Sequence, residues 1–134
     1  MYEGGLRVPA IISFPKVLPR QEVRQQAVTL CDWMPTILDL CDVPAPDRKL
    51  DGASLLPIIH DNADSHHDVL HWQWQKRWAV REGNWKLIGN DKGGTELVSL
   101  ADEEPESVNH ISAEPETASR LQKLHDQWLK DVSP

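Results

Sequence analysis

Tyrosine and phenylalanine are nearly missing from this sequence, one of each in 134 residues, against six tryptophans. Aromatic packing must therefore rest on indole rings, which carry large buried area and one N–H donor each. Cysteine is almost as scarce. Cys31 and Cys41 lie in a stretch of helical pattern, about 15 Å apart along an axis and out of disulfide reach. They are expected to be small buried hydrophobes. No apolar run approaches the ~20 residues of a spanning helix, so no membrane partner is expected. Positive charge is thin too: 14 Lys and Arg stand against 21 Asp and Glu, a formal charge of −7. The densest basic group, Lys76-Arg77 with Arg81, is too short to track phosphates, which argues against nucleic acid. The acidic run Asp102-Glu103-Glu104 with Glu106 reads as a solvated turn. Nor do the first residues carry a leader pattern, since Met1 runs straight into Tyr-Glu-Gly-Gly.

What is present is ordinary globular composition, 40% hydrophobic and 26% charged, enough to build a core. Residues 8–14 (VPAIISF) form a continuous apolar run, the pattern of a strand covered on both faces. Residues 15–26 are a polar connection. In LCDWMPTILDLCDV, Asp32 is placed as an N-cap and Pro35 in the first helical turn. Trp33, Ile37 and Leu40, with Met34, Leu38 and Cys41 beside them, make a wide apolar helical face. Val43-Pro44-Ala45-Pro46 stops that helix. Asp51-Gly52 marks a turn, Ser54 opens a short helical turn through Ile59, and 60–68 is polar loop.

The second half changes texture. VLHWQW (69–74) alternates, RWAVREGNWKLIGN reads as a hairpin turning at Glu82-Gly83-Asn84, and TELVSL (95–100) adds a fourth strand. An amphipathic helix over about 115–131 follows, with Leu121, Leu124 and Trp128 on one stripe. The fold class is therefore α/β to α+β. A strand and helix from a large α/β sheet precede a four-stranded antiparallel meander packed by a C-terminal helix.

Five landmarks fall in order along the chain. They are Tyr2-Glu-Gly-Gly-Leu-Arg-Val-Pro9, Asp32-Trp-Met-Pro-Thr-Ile-Leu38, Leu50-Asp-Gly-Ala-Ser-Leu-Leu-Pro57, Trp78-Ala-Val-Arg-Glu-Gly-Asn-Trp-Lys-Leu-Ile88, and Glu96-Leu-Val-Ser-Leu100 with Glu104-Pro-Glu106. Together they resemble the C-terminal part of a sulfatase of the arylsulfatase type, within the alkaline-phosphatase-like superfamily. That resemblance implies residues 1–60 as the edge of the sulfatase α/β domain and 61–134 as its C-terminal subdomain. It implies a parent that hydrolyses sulfuric esters of a small molecule or glycan. The parent would use a formylglycine made from a C/S-x-P-x-R motif and a calcium ion on Asp and Asn oxygens. Such parents are often periplasmic, extracellular or lysosomal, and no signal here selects among these.

Little of that machinery has a counterpart in this chain. Ser13-Phe-Pro-Lys-Val17 has Val where the motif needs Arg, and neither Cys has Pro two residues on. Asp61-Asn62 has the letters of the family's metal pair but lies after the glycine pair instead of before it. The family's sulfate-contacting Lys would stand upstream of Tyr2. No catalytic residue and no metal ligand is therefore assigned, no cofactor is expected in this chain, and the chain alone is expected to be inactive. The resemblance leaves Tyr2, Glu3, Gly4, Gly5 and Arg7 as the rim of a substrate pocket. It makes Met1 an expected internal residue or boundary.

Several features carry a plainer reading. His60, Asp61, His66, His67, Asp68 and His71 are loosely spaced and read as a solvated loop, not a metal site. Trp72, Trp74, Trp78 and Trp85 read as sheet packing, not as a sugar platform. Arg81 and Lys86 read as cross-strand charges on a solvent face. The alternative function is a standalone binding or assembly module that uses the Trp-rich sheet or residues 8–14. An open, apolar strand there is expected to promote self-association.

Overall fold

The computed structural model describes residues 1–90 and 92–132. The chain divides into two compact units, one made of Met1–Pro9 with the chain from Asp68 onward, the other of Ala10–His67.

The first unit is built on an antiparallel meander of β1 (Val69–Trp74), β2 (Arg77–Glu82), β3 (Trp85–Gly89) and β4 (Thr95–Ser99), in sequential order. Gly83 closes the β2–β3 hairpin at φ 56°, a conformation that glycine adopts without a Cβ penalty. The register sets Val80 opposite Leu87 and Leu87 opposite Leu97. These three form one core with Ala118 and Leu121 of α4 (Pro115–Val132), flanked by Trp78, Trp85 and Leu124. The period-two pattern of the strands and the stripe on α4 thus meet as the sequence predicts. Gly89 faces Trp78 across the ladder, and a Cβ there would lie 2.1 Å from the indole. The absent side chain is what lets that ring lie flat on β3.

The opposite face of the sheet is covered as well. Ala79, Ile88 and Val98 are buried there with Met1 and Trp72 against them. A short helix, α1 (Glu3–Leu6), belongs to the same unit. Lys86 projects to this face and has no exposed surface. The reading of Lys86 as a solvent-face charge is therefore corrected: the N-terminal segment covers a face that the meander alone would leave open. Trp72 fits the reading of sheet packing, whereas Trp74 is largely exposed.

The second unit holds α2 (Trp33–Leu40), preceded by a 3-10 turn over Leu30–Asp32, and α3 (Leu56–Asp61). Asp42 ends α2 at φ 54°, in the left-handed region where Asp is tolerated better than most residues. Arg24 donates to the carbonyls of Ile58 and Ile59 at the end of α3, at 2.9 and 2.8 Å, satisfying acceptors that a helix leaves open. Three expectations are corrected here. Residues 8–14 form no strand, because no neighbouring strand in the described residues pairs with them. Val8 and Ile11 stand in solvent. Cys31 and Cys41 are exposed thiols instead of buried hydrophobes. The wide apolar face of α2 stays partly open, with Met34 and Ile37 exposed.

Candidate functional site

Two polar clusters stand out, one in each unit. The first gathers around the expected pocket rim. Lys86 donates to Glu3 Oε1 at 2.8 Å and to Glu106 Oε1 at 2.9 Å. Glu106 also accepts from the Glu3 backbone N–H at 2.8 Å. Arg81 Nη1 lies 3.9 Å from Glu3 Oε2, so the cluster sets two cations against two carboxylates. A buried ammonium is tolerated only when paired in this way. Trp72 adds its ring face 5.7 Å from the Lys86 nitrogen, a further contact for the cation. The Glu106 part of the acidic run is therefore a half-buried partner of Lys86 and not a solvated turn.

The other rim residues fan outward from this anchor. Tyr2 donates its hydroxyl to Glu96 Oε2 at 2.6 Å. That hydrogen bond to a carboxylate, with some burial, raises the Tyr2 pKa above its ordinary 10.0. Gly4 and Gly5 face open space, where an added Cβ would meet no atom within 4 Å. Arg7 is exposed. Beside them runs a shallow groove lined by Met1, Tyr2, Gly5, Leu6, Trp72, Gln73 and Trp74. The structure brings Tyr2 to Leu6 together at one edge and holds them through Glu3.

The second cluster centres on Asp32. It is not the simple N-cap that the sequence suggests, since its side chain makes no cap bond to α2. It is fully buried and accepts from the Thr29 N–H at 2.7 Å and the Ala53 N–H at 3.1 Å. His66 Nε2 approaches Oδ1 at 2.9 Å, and His67 Nε2 lies 2.9 and 3.0 Å from the two oxygens. Burial disfavours the charge, but the bonds from Thr29, His66, His67 and Ala53 outweigh it and hold the Asp32 pKa at about 2. Thr36 extends the network. Its hydroxyl donates to the Asp32 carbonyl at 2.6 Å and accepts from the Leu55 N–H at 2.9 Å. Gly52 makes the approach possible, because a Cβ there would lie 2.2 Å from the Cys31 carbonyl oxygen. Sequence spacing hides this cluster, since the two histidines lie 34 and 35 residues from Asp32. The local signals are the His66-His67 pair, which the sequence places in a solvated loop, and the Asp-Gly turn that delivers the Ala53 amide.

The first unit is thus a meander closed on one face by a C-terminal helix and on the other by the glycine-pair segment. The family model described as N-sulphoglucosamine sulphohydrolase, C-terminal, matches residues 1–133, and the chain belongs to that family. An uncharacterized sulfatase of Schizosaccharomyces pombe is 30% identical over 141 residues, which is 95% of this chain and 25% of that protein. Human arylsulfatase K is 31% identical over 142 residues, 93% of this chain and 26% of the relative. The chain thus spans about a quarter of the length of these curated relatives. Among solved structures, Ps i-CgsB superposes with a TM-score of 0.73 at 19% identity, over 86% of this chain and 27% of that one. The same protein is also known in complex with k-i-k-neocarrahexaose. At that identity the likeness speaks for the fold.

Proposed function

We propose that this chain is the C-terminal part of a sulfatase whose whole form hydrolyses sulfuric esters of a small molecule or glycan. The observation that carries this reading is the family match along nearly the full chain, together with relatives four times as long. In the parent, residues 1–60 would be the edge of the α/β domain and 61–134 the C-terminal subdomain. The open apolar face of α2 and the exposed Val8 and Ile11 support this, as surfaces that a larger sheet would cover. Tyr2, Glu3, Gly4, Gly5 and Arg7 would form the pocket rim, with Glu3 fixed to Lys86 so that the two glycines present open backbone toward the ester.

Calcium takes six to eight oxygen ligands, whereas the converging donors at Asp32 are one carboxylate and two imidazoles. No C/S-x-P-x-R motif exists for the nucleophile. The chain is accordingly inactive on its own, and no catalytic step is assigned to its residues. Purified, it is expected to show no turnover of an aryl sulfate. Turnover that scales with protein concentration would overturn that statement. The DNA preceding the Met1 codon tests the larger reading. An in-frame continuation encoding C/S-x-P-x-R is expected, and an immediate stop codon would favour a separate assembly module. Such a module would dock through residues 8–14, whose exposed apolar side chains also support self-association of the isolated chain.

A further inference from the structure

We propose that Asp32, His66 and His67 form a binding site for a divalent transition metal of the zinc class, distinct in chemistry from the calcium of the sulfatase reaction. Their ligand atoms all lie within 4.8 Å of one another. Both imidazoles present the same ring nitrogen, Nε2, and both aim it at one oxygen, Asp32 Oδ1, at 2.9 Å. That oxygen already accepts from the Ala53 N–H. Three donors on a single carboxylate oxygen crowd it beyond its two lone pairs. Two ring nitrogens and a carboxylate oxygen converging on one point match the donor set of a zinc centre with an open position.

The arrangement satisfies the other requirements of a metal site. The Thr29 and Ala53 amides fix the orientation of the Asp32 carboxylate from behind, as outer partners fix a ligating carboxylate. The His66 and His67 side chains retain 27% and 13% of their exposure, which leaves an entry path. Tetrahedral coordination at zinc–ligand distances near 2.1 Å sets neighbouring donors roughly 3.4 Å apart. Each ring needs to withdraw from Asp32 by about half an ångström, and the two ring nitrogens, no more than 4.8 Å apart, need to settle at that same spacing, a matter of side-chain rotation. On binding, each imidazole offers its Nε2 lone pair to the metal, and any proton displaced from that nitrogen passes to solvent. Water completes the sphere. The site depends on no part of the sulfatase reading and is measurable without any activity.

Calorimetric titration of the chelator-treated chain with zinc chloride at neutral pH is expected to show one equivalent bound. His66→Ala or His67→Ala should weaken binding at least tenfold, while His60→Ala, on the exposed end of α3, should leave it unchanged. Calcium chloride should give no binding at this site. Absence of zinc binding, or binding that survives both histidine changes, would overturn the proposal. So would loss that follows His60 instead. If the alanine variants fail to fold, cobalt(II) titrated into the unaltered chain decides the matter. Intense visible bands of a four-coordinate nitrogen–oxygen site support the assignment, and the weak spectrum of the hydrated ion refutes it.

Discussion

Lys86 shows how one side chain can reverse a reading made from its neighbours. Placed opposite Arg81 in the ladder, it fits a solvated strand face, yet it is fully enclosed by Glu3, Glu106 and Trp72. Removing one member of a buried ion cluster strands the rest, at a cost of ~3 kcal/mol or more. Lys86→Met is therefore expected to lower the unfolding free energy measured in urea by an amount of that order. Glu3→Gln keeps an acceptor for the ammonium and should cost about 1 kcal/mol. Equal losses in the two variants would contradict the view that Glu106 shares the charge. The sequence offered no direct sign of this enclosure, because the three residues lie up to 103 positions apart. Asp32 illustrates the same limit. Its local setting suggests a helix cap, and only the folded loop brings His66 and His67 to it.

At the level of elements, α4 meets β1 and β2 through rings. His125 stacks on Trp78 with centroids 3.9 Å apart, and His71 lies parallel to Trp128 at 5.0 Å. The Nδ1 atoms of both histidines are buried without a hydrogen-bond partner among the described residues. Burial, then the neighbouring His125, pushes the His71 pKa from 6.5 down to about 4, and burial lowers that of His125. Both rings are neutral in the fold while the unfolded chain protonates near 6.5. Stability is therefore full above that pH and falls as pH drops from about 6.5 toward 4. Asp32 contributes in a separate window. Its stabilisation is present above pH 3.8 and is lost as pH falls toward its folded value of about 2. Urea midpoints at pH 7.5 and 5 should differ in the unaltered chain and differ less in His71→Phe. A flat profile across that interval would refute the ring account. The strands, the hairpin and the helix were all legible, because period two and period 3.6 are written locally. The 8–14 segment was misjudged because apolar content marks a strand only where another strand is present to pair with it.

For the molecule as a whole, the matter is surface left uncovered. Ile11 and Leu30 are each more than four-fifths exposed. The proposed self-association is expected to appear as growth of the scattering mass with concentration, reduced by Ile11→Lys. A clean monomer at high concentration would count against it. The glycine-pair segment has a consequence for kinetics. Its bonds span 83 to 103 residues, from Glu3 to Lys86 and Glu106, among the longest closures that this chain can make. Such loops form late, after local hairpins have zipped, because their entropy cost is met only once the rest is in place. Weakening this latch should leave the refolding rate nearly unchanged and speed unfolding. The first residues of the chain therefore set how long the native state lasts more than how quickly it is reached.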